Sequence, residues 1–220
     1  MQESVQSRTA AGLSELETSK VLKNTYMLLG MTLAFSAVCA GLATMMGVQL
    51  TNPWIFLIGV FGLSFLVHRT ANSAWGLLSV FAMTGFIGFY IGPVLNMLIQ
   101  VRPDAVMMAL GTTAFTFVGL SAYALFTRKD FSFMTGFIQI GMWAMLGAIV
   151  MSLLFDLGPM QLAISAGIVI LMSALILWQT SAIVHGGETN YIIATTTLFM
   201  SIYNLFMSLL HLFMAFGGDE

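Results

Sequence analysis

Charged residues are scarce in this chain of 220 residues. Asp, Glu, Lys and Arg together make up 7% of it, whereas hydrophobic residues make up 59%. An average soluble domain carries about 25% charged residues. Because so few charges cannot cover the surface of a globular domain, the composition excludes a water-soluble fold. It predicts a polytopic membrane protein surrounded by the lipid bilayer.

The long apolar segments lack Asp, Glu, Lys and Arg except near their ends. A retinal protein needs a lysine within the membrane, and proton relays and ion-coupled transporters usually place carboxylates there. This absence therefore argues against all three classes. The Gly-Leu-Ser triplets that end at Ser64 and Ser121 do not continue to the G-x-S-x-G elbow of serine hydrolases. We predict that the protein is not an enzyme.

Metal ligands and disulfides are lacking as well. Cys39 is the only cysteine, so it cannot form a disulfide within the chain. The three histidines, His68, His185 and His211, stand apart, and no cluster of Cys, His or carboxylate residues has the spacing of a metal site. We expect neither a metal nor a cofactor.

The chain instead contains seven apolar segments, most of them near the roughly 20 residues that a membrane-spanning helix needs. They predict an all-α fold, with a seven-helix transmembrane domain over residues 24–216. Turn signals such as Gly158-Pro159 separate the segments. The predicted limits are Asn24–Gly47, Pro53–Val67, Ala74–Leu98, Ala105–Phe126, Phe131–Phe155, Met160–Val184 and Tyr191–Phe216.

Basic residues in the connections predict the orientation of the helices. One side collects six of them and is cytoplasmic, whereas the other has only Arg102, which is followed by Asp104. Residues 1–23 form a polar tail on the cytoplasmic side, which we expect to be disordered or loosely helical. The acidic end, residues 217–220, then lies outside. The six basic residues are Arg8, Lys20, Lys23, Arg69, Arg128 and Lys129.

The last apolar segment is unusually rich in hydroxyl and amide groups, among them Thr197, Ser201 and Asn204. Polar side chains are costly in hydrocarbon unless they face protein or water. We therefore expect this helix to lie inside the bundle, with its polar side chains lining an interior surface.

The third segment carries two further signals. Gly88 and Gly92 form a GxxxG pattern, which we interpret as close packing within the chain rather than dimerisation. Pro93 predicts a kink that leaves the carbonyl of Phe89 without its usual helical partner. Asn96 is a nearby side chain that can satisfy this carbonyl.

Four blocks of sequence resemble the Bax-inhibitor family of membrane proteins and occur in the same order. The similarity runs from about Lys20 to about Phe213, so it covers nearly the whole chain. The blocks are KVLKNTYMLLGMTLAFSA, GFIGFYIGPVLNM, SAYALFTRKDFSFM and HGGETNYIIATTTLFMSIYNLFMSLL.

The resemblance implies a seven-helix fold in which the last helix is central and two groups of three helices wrap it. For bacterial members it also implies an inner-membrane location and association with the membrane AAA protease FtsH, as both substrate and modulator. The cytoplasmic tail would be the part that the protease engages. Our leading hypothesis is therefore a non-enzymatic modulator of FtsH-type proteolysis.

The family also includes pH-sensitive calcium leak channels, so the alternative is a Ca²⁺ or cation leak channel. The family's gate pairs an aspartate near the cytoplasmic end of helix six with one in helix seven, next to an arginine near the end of helix two. The matching positions here are Gln179 and Ser201, with Arg69 or His68 as the basic partner. Neither Gln nor Ser titrates near neutral pH, which disfavours the channel. Gln179 and Ser201 can still hydrogen-bond and hold helices six and seven together.

Overall fold

Seven long α-helices make up the fold, as predicted. The computed structural model describes residues 2–48, 52–155 and 160–217, and within these ranges it contains no β-strand. All seven helices are long and apolar enough to cross a membrane, so the chain is a multi-pass membrane protein. The helices are α1 (Gln2–Met45), α2 (Pro53–Thr70), α3 (Trp75–Val101), α4 (Pro103–Thr127), α5 (Thr135–Leu154), α6 (Met160–Val184) and α7 (Tyr191–Phe216).

The helix limits agree with the predicted ones most closely at the C-terminal end of the chain, where α6 and α7 match residue for residue. A short 3-10 helix, Ser132–Met134, delays the start of α5. The expected polar tail is helical and continuous with the first span, whose membrane-length part is Leu16–Met45. The Gly158-Pro159 turn and the acidic residues Asp219 and Glu220 lie outside the described residues.

Asn190 fixes the start of α7 against the end of α2. Its Oδ1 accepts a hydrogen bond from the backbone N–H of Ile192 (2.9 Å), which caps the helix. Its Nδ2 donates to the carbonyl of Ala71 (3.1 Å) and to Oδ1 of Asn72 (2.8 Å). The Asn190 side chain thus caps the start of α7 and joins it to the end of α2.

Two glycines bring the backbones of α1 and α3 into close contact. A Cβ atom on Gly88 would collide with the backbone of Ser36, and one on Gly92 with the backbone of Ala40. The GxxxG pattern therefore serves packing within the chain, as predicted.

The last helix makes contact with most of the bundle. α7 packs against α1, α2, α3, α4 and α6, and it carries Phe199, the largest fully buried side chain among the described residues. α5 packs on α6 and on the 3-10 helix before it, and α2 packs on α3 and α7. In the described part of the chain, no Cα atom of α2 lies within 8 Å of one in α5. A gap therefore separates α2 from α5, and α6 and α7 form its floor.

Candidate functional site

The polar side chains in the middle of α7 use their own helix as a hydrogen-bond partner. Ser201 Oγ donates to the carbonyl of Thr197 (2.7 Å), and Asn204 Nδ2 donates to that of Met200 (2.8 Å). Each bond spans one helical turn, so these donors are satisfied without a neighbouring helix. The hydroxyl oxygen of Ser201 and the amide of Asn204 still have unused capacity for hydrogen bonds among the described residues.

A cleft of about 450 Å³ occupies the gap between α2 and α5. It extends along α2 from Pro53 to His68, and side chains of α5, α6 and α7 complete it. Most of the lining is apolar. We call it the α2–α5 cleft. Its polar lining residues are Ser64, His68, Thr196, Thr197, Ser201, Tyr203 and Asn204.

At one end of the bundle, hydrogen bonds join the loop between α4 and α5 to the end of α6. Ser181 Oγ donates to the carbonyl of Lys129 (3.0 Å) and accepts from the N–H of Phe131 (3.1 Å). His185 Nε2 lies 3.0 Å from the carbonyl oxygen of Arg128, and its Nδ1 lies 2.9 Å from that of Ser181. We call this end of the bundle the basic end, because Arg128 and Lys129 lie in the α4–α5 loop.

Asp130 lies in the same loop and shapes its turn. Its Oδ1 accepts a hydrogen bond from the backbone N–H of Ser132 (2.8 Å). This bond, a bond with the Ser132 hydroxyl and the charge of His185 hold the pKa of Asp130 below its usual value. The ionised carboxylate of Asp130 therefore stabilises the start of the 3-10 helix.

At the opposite end, Arg102 connects the α3–α4 corner to the end of α7. Its Nη2 lies 2.9 Å from Oδ2 of Asp104, and its Nη1 donates to the carbonyl of Gly217. The hydrogen bond with Asp104 raises the pKa of the Arg102 guanidinium above its usual value. The basic residue on this side is thus paired with an acid.

The predicted kink in α3 lies away from the cleft. α3 continues through Pro93 to Val101, and neither Pro93 nor Asn96 lines the α2–α5 cleft. Asn96 is exposed, and no hydrogen bond among the described residues joins it to the carbonyl of Phe89. A kink that Asn96 relieves stays a prediction.

The histidines lie in separate places. His68 Nδ1 is hydrogen-bonded to the carbonyl of Ser64 (2.8 Å), and His211 Nδ1 to the hydroxyl of Ser165 (2.7 Å). Across residues 2–48, 52–155 and 160–217, no three His, Cys, Asp or Glu side chains are grouped so that they could hold a metal ion.

Comparison with known proteins assigns the chain to a family. The model of the family described as inhibitor of apoptosis-promoting Bax1 matches residues 18–218. The chain belongs to the Bax-inhibitor family. A Pseudomonas aeruginosa relative is 50% identical over the full length of both chains. The Escherichia coli protein named modulator of FtsH protease YccA is 46% identical over 87% of this chain and 88% of its own. A Vibrio cholerae membrane protein is 39% identical over 90% of each chain.

The structure brings one of the two gate positions predicted from the resemblance onto the α2–α5 cleft. Ser201 is buried and lines it. Gln179 does not line the cleft, although it lies one helical turn beyond Leu175, which does. Arg69 is exposed and does not line the cleft, whereas His68 beside it does. Of the two basic candidates named from this Bax-inhibitor resemblance, His68 is therefore the one on the cleft.

The hydrogen bond expected to hold helices six and seven together through these positions is absent from the described residues. Ser201 donates within α7, and Gln179 Nε2 is buried without a partner. Thr25 Oγ1 and Ser121 Oγ are likewise buried and unpaired. That prediction is wrong because a serine hydroxyl in a helix reaches the carbonyl one turn earlier in its own chain.

Proposed function

We propose that the protein is a non-enzymatic modulator of an FtsH-type protease in the bacterial inner membrane. The observation that carries the proposal is the 46% identity, over 87% of this chain, to the Escherichia coli relative whose name states that role. A relative with the same identity is named inner membrane protein YccA, which supports the location.

The proposed orientation puts the N-terminus in the cytoplasm and the C-terminus outside, because six of the seven basic residues fall on one side. α1 begins at Gln2, and residues 2–23 carry six charged side chains. This part of the helix therefore extends beyond the hydrocarbon core, where a cytoplasmic protease can engage it. We also assign α7 a central position, which its packing against five other helices supports.

The cellular lifetime of the protein tests the role of this segment. We would follow the intact protein, a version lacking residues 2–14 and a version with these residues scrambled, each with FtsH present and depleted. The truncation leaves Leu16–Met45 intact. We expect a short, FtsH-dependent lifetime that only the truncation lengthens. Equal lifetimes under all conditions would refute the protease proposal.

The modulator role needs a second readout. Overproduction of the intact protein should slow FtsH-dependent degradation of another membrane substrate, and overproduction of the truncated version should not. If the substrate decays at the same rate with and without the intact protein, the chain is at most a substrate of the protease.

A Ca²⁺ or cation leak channel is the second candidate, since Thr197, Ser201 and Asn204 place polar groups on the α2–α5 cleft. It ranks lower because no carboxylate, the preferred Ca²⁺ ligand, is among the described residues that line the cleft. We expect no Ca²⁺ flux through wild-type protein in liposomes, and pH-dependent flux after combined Gln179→Asp and Ser201→Asp substitution. Robust wild-type flux would reverse the ranking.

A further inference from the structure

We propose that the α2–α5 cleft is a binding site for an anionic glycerophospholipid. One acyl chain lies along α2, and the phosphate lies at the end where α2 carries His68 and Arg69. This site goes beyond the modulator role and does not depend on it.

The dimensions of the cleft favour a single chain. Its lining along α2 runs from Pro53 to His68, a distance of about 22 Å at 1.5 Å per residue. That length exceeds the thickness of one leaflet, which is about 15 Å of hydrocarbon. The cleft is therefore long enough to hold one acyl chain along α2.

The cleft opens toward the bilayer. No Cα atom of α2 lies within 8 Å of one in α5 in the described part of the chain, and α5 rests on α6 and the 3-10 helix alone. A lipid can therefore enter sideways, between the two helices. Four methionines line the path, and their unbranched, flexible side chains adapt to a flexible ligand. They are Met142, Met145, Met172 and Met200.

The basic residues at the end of α2 select the anionic head group. Arg69 is exposed directly after His68, and its guanidinium is always charged and matches phosphate geometry. His68 Nδ1 is hydrogen-bonded to the carbonyl of Ser64, so Nε2 is the ring nitrogen left for a ligand. None of the described residues that line the cleft is an Asp or Glu that would repel a phosphate.

Native mass spectrometry of the purified full chain with dioleoylphosphatidylglycerol tests the site. Wild type should hold one phospholipid, and Ile149→Trp, which fills the cleft from α5, should weaken this binding at least tenfold. The matched control is Val150→Trp, because Val150 is exposed and lies outside the lining. If Ile149→Trp does not fold, Ser64→Trp replaces it, with Phe65→Trp as control. Equal loss in a variant and its control, or no bound lipid in wild type, would overturn the proposal.

A second comparison tests the head-group end. Combined His68→Ala and Arg69→Ala should abolish the preference for phosphatidylglycerol over phosphatidylcholine, whereas combined Arg128→Ala and Lys129→Ala should leave it unchanged. Glycerol phosphate, which has the anion without the chains, should not compete with the lipid. Full competition by glycerol phosphate would mean a free-phosphate site, and an unchanged preference in the first variant would refute the placement of the head group.

Discussion

Gln179 combines deep burial with an unpaired amide nitrogen, since the residue is 2% exposed and its Nε2 has no hydrogen-bond partner among the described residues. A buried donor without a partner costs about 1–3 kcal/mol. Leucine has a similar volume and no polar atoms. We therefore expect Gln179→Leu to leave the free energy of unfolding unchanged or to raise it by about 1 kcal/mol, measured by denaturation in mixed micelles.

The control for Gln179 is Asn204→Leu, which removes an amide that donates to the carbonyl of Met200. Because its hydrogen bond is made, this substitution should lower the free energy of unfolding by about 1 kcal/mol. If Gln179→Leu destabilises as much as the control, the amide of Gln179 has a partner in solution, such as a buried water.

Gly88 is the residue where one methyl group should matter most. Its Cβ would meet the carbonyl of Ser36, and backbone cannot move aside as a flexible side chain can. We expect Gly88→Ala to lower the free energy of unfolding by about 1–3 kcal/mol through overpacking, in the same denaturation assay. Gly111→Ala is the control, because nothing lies within 4 Å of a Cβ there, and alanine favours the helix.

Among the connecting elements, the α4–α5 loop has a predictable response to pH. The pKa of Asp130 is lowered in the folded protein, so its ionised form contributes stability above the unfolded pKa of about 3.9. That contribution is lost as the pH falls through the lower, folded value. Thermal midpoints from pH 6 to pH 3 should therefore fall more steeply for wild type than for Asp130→Asn. Parallel profiles would show that the Ser132 contacts do not depend on the charge.

The helices differ in how far the sequence predicts them, and the reasons are physical. α6 and α7 begin and end where long apolar runs meet polar turns, so hydropathy alone defines them. Residues 2–23 have no apolar run, and the prediction of a disordered or loosely helical tail gave too little weight to their Ala, Leu, Glu and Lys content, which favours helix. Hydropathy also cannot separate the 3-10 helix from the α5 helix that follows it.

The α2–α5 cleft could not be predicted from the sequence, because it depends on the distance between two helices far apart in the chain. Its α5 wall is apolar and looks like any lipid-facing surface. The polar residues that pointed to an interior surface were in α7, where Ser201 is buried and lines the cleft. His68 was named as an alternative to Arg69, and only the fold shows which of the two side chains lines the cleft.

For the molecule as a whole, the orientation can be tested with single cysteines. In a Cys39→Ala background, a cysteine replacing Lys129 at the basic end should resist a membrane-impermeant maleimide in intact spheroplasts and react in inverted vesicles. A cysteine replacing Met46, just after α1, should show the opposite pattern. The reverse result for both positions would show that the topology is the opposite one, and it would overturn the protease proposal.

The continuity of α1 has a mechanical consequence. The helix is continuous from Gln2 to Met45, so no flexible linker lies between its first turns and the bilayer. A motor that pulls on the N-terminus would transmit its force along α1 as one stiff helix. The backbone of α1 contacts that of α3 at Gly88 and Gly92. The first event under force would be sliding of α1 along α3. The strength of the contact between these two helices would therefore set the force that extraction requires.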